Sequence, residues 1–348
     1  MKKCLHPLFP ALSSEVGEEF LVYDMNYGFW GKLEKPFFAL APMANVTDTV
    51  FRQIIVKYGR PDVLWTEFVP TDGLCSEGRE AVLRDLQYLP TEHPIVAQIF
   101  GSTPAHFYET ARLVAELGFD GVDINMGCPE KNIVKSGACS ALINEPSLAQ
   151  DIIFATKEGA GDMPVSVKTR LGFSKDILEE WLPVLLETKI AAITVHGRTR
   201  KEMSLHPAKW NRIKDAADMA RDTGTLIIGN GDVESLEDAR KKAKETGVDG
   251  VMMGRAIFGN PWLFNKEGKI PTLPEKLRAM VEHTQLFEQT WGDTKSFELM
   301  KKHYKAYVNG FDGAKFLRMK LMECHNAAAI EKKLEEFLDT NPSLSQRS

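Results

Sequence analysis

The sequence predicts an α/β protein, a (β/α)8 TIM barrel followed by a small C-terminal helical domain. Eight short apolar runs alternate with amphipathic stretches between residues 37 and 264. Eight strand–helix units in about 225 residues match such a barrel in number and in length. Beyond the barrel, charged and apolar residues without any strand pattern predict a small helical bundle.

The eight apolar runs have the length and composition of buried parallel strands. They are too short for independent helices, and most are rich in β-branched or aromatic residues. The predicted strands are FFALAPM, VLWTEFV, PIVAQIF, GVDINMG, PVSVKTR, AAITVHG, TLIIGNG and GVMMGR. An open doubly wound sheet is the alternative, but no G-x-G-x-x-G motif follows the first strand.

The stretches between the runs carry signals for helix starts and ends. Thr103 followed by Pro104 is typical of a helix with proline at its first position. Ser235 and Asp238 have the spacing of a capping box, and Gly247 marks the end of that helix.

We expect three parts along the chain: an N-terminal extension of residues 1–36, the barrel of residues 37–264 and a helical domain of residues 275–348. A linker with Pro271 and Pro274 precedes the helical domain. The residues VYDMNYGFWGK of the extension are expected to form a hairpin under the barrel floor.

Composition excludes several classes of protein. Of 348 residues, 43% are apolar, so disorder is excluded as the main state. No apolar run approaches the ~18 residues of a membrane span, and the opening MKKCLHPLFP is too short and too broken by proline for a signal peptide. The five cysteines form no C-x-x-C pair and no cluster with histidine. We therefore expect no disulfide framework, no metal site and a location in the reducing cytoplasm.

Charge is distributed unevenly along the chain. The formal net charge of -5 is evidence against a uniformly basic nucleic-acid coat. Residues 301–320, however, hold six Lys and Arg against one Asp, interleaved with the aromatic residues Tyr304, Tyr307, Phe311 and Phe316. This window suits a nucleic-acid backbone and an exposed base. An amphipathic helix with a solvated lysine face would give the same pattern.

Polar or reactive side chains follow nearly every predicted strand. In a barrel of this kind the chemistry sits at the carboxyl ends of the strands. The residues at those ends are Pro42, Met43, Glu67, Gln98, Asn125, Gly127, Cys128, Lys168, Arg170, His196, Arg198, Asn230, Gly231, Asp232, Gly254 and Arg255. The pattern predicts an active face at that end of the barrel.

Two glycine-containing turns predict a phosphate site after strands seven and eight. Residues 230–232 read Asn-Gly-Asp, and Gly254 is followed by Arg255. Glycine lets backbone N–H groups approach an anion, and the arginine can pair with phosphate oxygens. The alternative is that each glycine only makes a tight turn.

Four basic side chains are expected to converge beside that site. Lys168 and Arg170 end strand five, and His196 and Arg198 end strand six. Residues two apart on a strand point to the same face. The set suits a ligand that is anionic or becomes anionic during reaction. The alternative is a group of solvated strand ends with carboxylate partners.

Cys128 occupies a loop tip at the predicted active face, between Gly127 and Pro129. A thiol with a pKa near ~8.5 is protonated at neutral pH and can act as an acid. Since no base is adjacent in sequence, a proton donor is favoured over a thiolate nucleophile. Cys75 and Cys139 are expected to be packing residues.

With these residues in place, the chain resembles the tRNA-dihydrouridine synthase family, flavoenzymes that reduce uridines in tRNA. The order and spacing of the matching segments are specific, from about residue 37 to residue 262. The segments are APMANVTDTVFR, Gln98 with Gly101, DINMGCPEKNIVKSGACSAL, VKTRLG, ITVHGRT, IIGNGD and GVMMGRAIFGNPWLF. One departure is Cys139, in a stretch where the family often keeps only Gly and Ala.

The resemblance implies an FMN-binding barrel and a helical domain that helps to hold tRNA. In the family, NADPH reduces FMN, and a hydride then passes from flavin N5 to uracil C6 while a cysteine, here Cys128, protonates C5. The resemblance assigns Pro42, Met43, Ala44, Gln98, Lys168 and His196 to the flavin; Asn230, Gly231, Asp232, Gly254 and Arg255 to its phosphate; and Asn125 and Arg170 to the uracil. We add Arg198 to the substrate-binding group and expect a monomer.

Three other functions fit parts of the pattern. A flavoenzyme could reduce a free pyrimidine or another small enone instead of tRNA. A tRNA-binding protein could have lost catalysis, although Cys128, Lys168 and Arg170 argue against this. A phosphate-binding barrel enzyme without redox chemistry is the last alternative.

Overall fold

The computed structural model describes residues 26–292 and 294–345. Eight parallel strands form one sheet in the order β1-β8-β7-β6-β5-β4-β3-β2, and a bridge between Ala39 and Val63 links its two edges. The strands are β1 (Phe37–Leu40), β2 (Leu64–Pro70), β3 (Ile95–Phe100), β4 (Gly121–Asn125), β5 (Val165–Arg170), β6 (Ala192–His196), β7 (Leu226–Asn230) and β8 (Gly250–Met253). All eight predicted strands and the TIM barrel are confirmed.

Helices surround the sheet and continue beyond it. Nine belong to the chain from β1 to β8: α1 (Thr49–Gly59), α2 (Thr71–Leu74), α3 (Arg79–Leu83), α4 (Pro104–Glu116), α5 (Lys131–Lys135), α6 (Pro146–Ala160), α7 (Leu178–Leu186), α8 (Trp210–Ala220) and α9 (Leu236–Thr246). Five follow it: α10 (Leu273–Trp291), α11 (Lys301–Tyr307), α12 (Ala314–Met322), α13 (Ala327–Thr340) and α14 (Pro342–Ser345). Short 3-10 helices cover Gly28–Lys32, Arg84–Leu86, Pro90–Glu92, Cys139–Asn144, Arg255–Ile257 and Phe297–Met300.

The helix signals in the sequence act where they were expected. Helix α4 begins at Pro104, whose missing N–H costs nothing at that position. At the start of α9, the Ser235 hydroxyl accepts a hydrogen bond from the Asp238 N–H at 3.1 Å. Gly247 ends α9 in the left-handed conformation at φ 72°, which glycine adopts without a side-chain clash.

The barrel floor is closed differently from the prediction. Gly28–Lys32 form a 3-10 helix, so the predicted hairpin is wrong there, and residues 22–25 lie outside the described residues. The buried Trp30 ring lies 5.6 Å from that of Phe37 and 5.8 Å from that of Trp65. One large aromatic side chain therefore seals this end of the barrel, and a strand pair is not needed.

A second apolar core forms where α10 to α14 pack on the barrel. It includes Val50 and Trp262 from the barrel side and Tyr304 and Tyr307 from α11. Because both tyrosines are buried, they are not available to an RNA base, and the alternative of an amphipathic helix holds for this part of the window. Phe316 on α12 is 58% exposed and is the aromatic residue of that window that faces solvent most fully. None of the described helices is long and apolar enough to cross a membrane.

Two buried histidines in this core predict that acid destabilises the fold. The His283 ring stacks on Phe51 at 5.0 Å and lies 4.6 Å from that of His303. Burial lowers the pKa of His283 to about 3 and that of His303 well below its usual value. Below about pH 6.5 the unfolded chain therefore binds protons that the folded chain does not, and stability falls by about 1 kcal/mol per imidazole by pH 5.5.

The measurement is chemical unfolding at about pH 7.5 and pH 5.5. His283→Phe retains a stacked ring that cannot be protonated, so it should lose less stability than the wild type over this interval. His325→Asn is the control, because that histidine is 77% exposed and lies outside the buried pair. Equal losses in the wild type and in His283→Phe would contradict this explanation.

Candidate active site

The carboxyl ends of the strands surround a cleft of about 660 Å³, a volume typical of small-molecule sites. The structure brings eleven of the predicted site residues to its lining: Pro42, Met43, Lys168, Arg170, His196, Arg198, Asn230, Gly231, Asp232, Gly254 and Arg255. Ala44 is exposed and does not line this cleft, and neither do Gln98, Asn125 and Cys128. Pro129, next to Cys128, does line it, so the cysteine loop borders the cleft.

Lys168 and Arg170 supply positive charge to the cleft. The Lys168 ammonium donates to Asn230 Oδ1 at 3.0 Å, and burial beside Arg170 lowers the Lys168 pKa to about 8. Arg170 donates from Nε to the Gly127 carbonyl at 2.6 Å. Within the described part of the chain, neither forms an ion pair with a carboxylate. These two cations are therefore free to neutralise charge on a ligand.

Arg198 and Arg255 are held by a carboxylate of the same cleft. Asp232 forms ion pairs with Arg198 and with Arg255, the latter at 2.6 Å. Of the four basic strand-end side chains, Arg198 therefore has the carboxylate partner of the alternative interpretation, although it is buried and not solvated. The Asp232 carboxylate would repel a phosphate, so its side chain does not fit the expected role at a phosphate. Arg255 is 65% exposed at its side chain and still has donors for an anion.

His196 is held neutral among these cations. Burial, together with the charges of Lys168, Arg170, Arg198 and Arg255, lowers its pKa well below the usual value. Its Nε2 lies 3.0 Å from Nη1 of Arg198, which can only donate. His196 Nε2 is therefore an acceptor, and the other ring nitrogen carries the proton.

Gly231 is required by its backbone conformation and by its neighbours. Its φ of 125° is rare for residues with a side chain, and a Cβ there would lie 2.7 Å from Ala208 Cβ. The same Cβ would lie 3.1 Å from Cδ2 of His196. The close approach keeps the turn after β7 tight against the cleft.

A chain of buried polar side chains beneath the cleft fixes the cysteine loop. Asn125 Nδ2 donates to Gln98 Oε1 at 2.9 Å, and Gln98 Nε2 donates to Asp123 Oδ2 at 2.7 Å. Asn125 Oδ1 accepts from the backbone N–H groups of Gly127 and Cys128 at 3.0 and 2.9 Å. The amide groups of both side chains are thus oriented before any ligand binds.

Asp123, the last member of this series of hydrogen-bonded side chains, was not predicted from the sequence. Its carboxylate is completely buried and also accepts from the Ser166 hydroxyl at 2.6 Å. Burial raises the Asp123 pKa to about 6. The available signal was spacing, because Asp123 lies two residues before Asn125 on β4 and so shares its inward face.

The Cys128 thiol is more acidic than an ordinary cysteine. The Cys139 thiol donates a hydrogen bond to its sulfur, the Glu130 N–H donates a second, and Arg170 lies nearby. Together these lower the Cys128 pKa to about 7, although partial burial opposes the shift. The sequence predicted an ordinary thiol, because the contact with Cys139 is invisible in the local motif.

The two cysteines that were predicted to be packing residues differ in burial. Cys139 is fully buried, as expected of a packing residue, yet its thiol contacts Cys128. Cys75 is exposed, so its expected packing role is wrong.

Fold and site together define a (β/α)8-barrel enzyme with a cationic cleft at the carboxyl ends of its strands. The family model for dihydrouridine synthase matches residues 39–341, and the chain belongs to that family. It is therefore an oxidoreductase, and the resemblance read from the sequence is confirmed.

Two relatives extend over nearly the whole chain. A probable tRNA-dihydrouridine synthase of Staphylococcus aureus (strain Mu50) is 42% identical over 90% of this chain and 96% of its own length. Probable tRNA-dihydrouridine synthase 2 of Bacillus subtilis (strain 168) is 40% identical over 90% of this chain and 97% of its own.

Similar solved structures support the barrel fold alone. Histamine dehydrogenase from Rhizobium sp. 4-9 has a TM-score of 0.53 at 13% identity, over 72% of this chain and 48% of that one. A 2-naphthoyl-CoA reductase has a TM-score of 0.51 at 14% identity, over 66% of this chain and 49% of that one.

Proposed function

We propose that the protein is a tRNA-dihydrouridine synthase that uses FMN and NADPH to reduce the C5–C6 bond of specific uridines in tRNA. One observation carries the proposal: Arg170 joins the cationic cleft to the cysteine loop. Its side chain lines the cleft and donates to the Gly127 carbonyl, one residue before Cys128. A cofactor held in the cleft and an acidic thiol would therefore act on the same substrate from adjacent positions.

The residues present fit FMN. Backbone N–H groups at Gly231 and Gly254 and the exposed Arg255 guanidinium match a phosphate in chemistry. Lys168 is a cation without a carboxylate partner, which suits a ring system that gains negative charge. When bound, FMN would take a hydride from NADPH and deliver it to uracil C6.

Cys128 is the proton donor in this proposal. A pKa of about 7 lies near the operating pH, where general acids are most effective. Once the proton has passed to C5, the remaining thiolate keeps the hydrogen bonds from the Cys139 thiol and the Glu130 N–H. Asn125 holds the loop backbone so that the sulfur stays in place.

The helical part is proposed to hold tRNA in the cytoplasm, with the protein as a monomer that needs no metal. Lys305 on α11 and Lys315 on α12 are exposed, and so is Phe316, which follows Lys315 on α12. Their positive charge suits a phosphate backbone. The target base must leave its stack to reach the barrel mouth.

Purified full-length protein tests the proposal directly. We expect a visible flavin spectrum and, with NADPH and an unmodified tRNA transcript, a mass gain of two hydrogens in specific uridines. Free uridine is the parallel substrate and should not react at a comparable rate. A colourless protein, or equal reduction of free uridine, would contradict the proposal.

A glycine pair provides a matched control for the cofactor site. Gly231→Ala should lower the bound flavin, because the new Cβ would push the turn away from the cleft. Gly247→Ala also places a side chain at a positive φ, of 72°, but no atom lies within 4 Å of its Cβ. Gly247→Ala should lose about 1 kcal/mol of stability from the backbone. Gly231→Ala should lose more because of its clash with Ala208, so flavin content is compared on the folded protein of each variant, and only Gly231→Ala should lower it.

A further inference from the structure

Two thiols meet at the cysteine loop. The Cys139 thiol donates a hydrogen bond to the Cys128 sulfur. Cys139 is fully buried, whereas Cys128 is partly exposed beside the cleft. Dissolved reagents can therefore reach the Cys128 thiol, whereas the Cys139 thiol contacts only protein atoms.

The local backbone holds the pair together. The chain leaves Cys128, turns through α5 and returns, and the Ser140 hydroxyl donates to the Cys128 carbonyl at 2.8 Å. Cys139 itself has φ 55°, an uncommon conformation for a residue other than glycine. The returning chain places Cys139 next to Cys128.

We propose that Cys128 and Cys139 form a reversible disulfide when the protein meets a peroxide. Formation of the disulfide does not depend on the proposed function. Only its effect does, since the disulfide would remove the Cys128 thiol that is proposed to donate the proton. The proposal assigns Cys128 as the attacking thiol and Cys139 as the resolving thiol.

The chemistry balances with hydrogen peroxide as the oxidant. The Cys128 thiolate attacks one peroxide oxygen, the O–O bond breaks, and a sulfenic acid and hydroxide form. The Cys139 thiol then attacks the Cys128 sulfur, an S–S bond forms, and the S–O bond breaks with release of water. The Cys139 proton leaves with the oxygen of the broken S–O bond as water. The hydroxide of the first step takes up the proton that Cys128 lost on ionising, so two thiols and one peroxide give one disulfide and two waters.

The asymmetry of the pair fixes which thiol reacts first. Hydrogen bonds and the nearby Arg170 favour the thiolate of Cys128, whereas burial raises the pKa of Cys139. Oxidation by peroxide follows thiolate character and exposure. Burial raises the pKa of Cys75, and its sulfur contacts the His106 carbonyl and the Thr110 hydroxyl. It therefore has no thiol partner within the described residues.

The test is mass spectrometry of the full-length protein after treatment with hydrogen peroxide. We expect the loss of two hydrogens, a cross-linked peptide pair containing Cys128 and Cys139, and full reversal by dithiothreitol. Cys139→Ser should instead add oxygen atoms to Cys128 without a cross-link. Cys324→Ser, which removes a buried thiol elsewhere, should form the cross-link as the wild type does.

Cys139→Gly provides a second variant, because glycine suits φ 55° and preserves the fold if serine does not. Oxygen addition at Cys128 to the same extent in the wild type and both Cys139 variants, with no cross-linked peptide, would overturn the proposal. A cross-link from Cys128 to another cysteine would also overturn it. A Cys128–Cys139 cross-link in a protein that does not reduce tRNA would support the disulfide and reject the proposed function.

Discussion

Replacing Cys128 by alanine is expected to lower dihydrouridine formation by ~10²–10⁴-fold, the usual contribution of a positioned general acid. The physical reason is that the variant has no acid of suitable pKa at the cysteine loop. Arg170, the cation that contacts the loop, has a pKa lowered only to about 10, and the Lys168 ammonium donates to Asn230 in the cleft. Flavin content and the rate of flavin reduction by NADPH should not change, since Cys128 does not line the cleft.

The measurement combines two assays on the same preparation. Stopped-flow absorbance follows flavin reduction, and nucleoside mass spectrometry follows dihydrouridine in the tRNA. Cys75→Ala is the control, because Cys75 is exposed in α2's C-terminal turn and outside the proposed machinery. A wild-type yield of dihydrouridine from Cys128→Ala would reject the role of this thiol.

Replacing Lys295 by methionine is expected to destabilise the fold by about 3–5 kcal/mol, the usual result of breaking a buried ion pair. The Lys295 ammonium lies 3.2 Å from Glu67 Oε2 and 2.8 Å from Asp85 Oδ1. The side chains of Lys295 and Glu67 are 9% and 7% exposed. Burial already raises the Glu67 pKa with the lysine present, so the variant would leave an uncompensated carboxylate.

The effect should depend on pH in a defined direction. Without Lys295 the folded-state pKa of Glu67 rises further above its unfolded value, so the folded protein binds the proton more tightly. The stability lost in Lys295→Met is therefore greatest at neutral pH and diminishes as Glu67 becomes protonated. The double variant Lys295→Met with Glu67→Gln should recover part of the loss at neutral pH.

Lys57→Met is the matched control for that experiment. Lys57 pairs with Glu282 on α10, so it also joins the barrel to the helical part. These side chains are 56% and 34% exposed, and an exposed pair contributes at most about 1 kcal/mol. Equal destabilisation by the two lysine variants in denaturant unfolding would show that burial of the Glu67 pair is not the cause.

The strand ends illustrate how far the sequence predicts the candidate site. Each strand alternates faces with a period of two, so Lys168 with Arg170 and His196 with Arg198 were expected to line one cleft, and they do. The fold class followed from the same local patterns. The partners of the arginines could not be read in this way, because Asp232 is brought to Arg198 by pairing of different strands.

The errors have related physical causes. The aromatic residues at 304 and 307 were read with their basic neighbours, yet the helix turns both toward the second core. The segment before β1 was predicted to be a hairpin, but the buried Trp30 side chain fills the apolar end of the barrel without one. In each case packing against distant residues decided the outcome, and the local pattern allowed more than one arrangement.

The sequence by itself determined the barrel, the strand ends and the position of Cys128 in the loop after the fourth strand, because these depend on periodicity and on short motifs. Only the tertiary structure decided the acidity of that thiol, the buried charge of Glu67 and the pairing of Cys128 with Cys139. The physical reason is that a side chain's pKa and accessibility are set by burial and by neighbours from distant segments. Such neighbours are assigned only when the chain has folded.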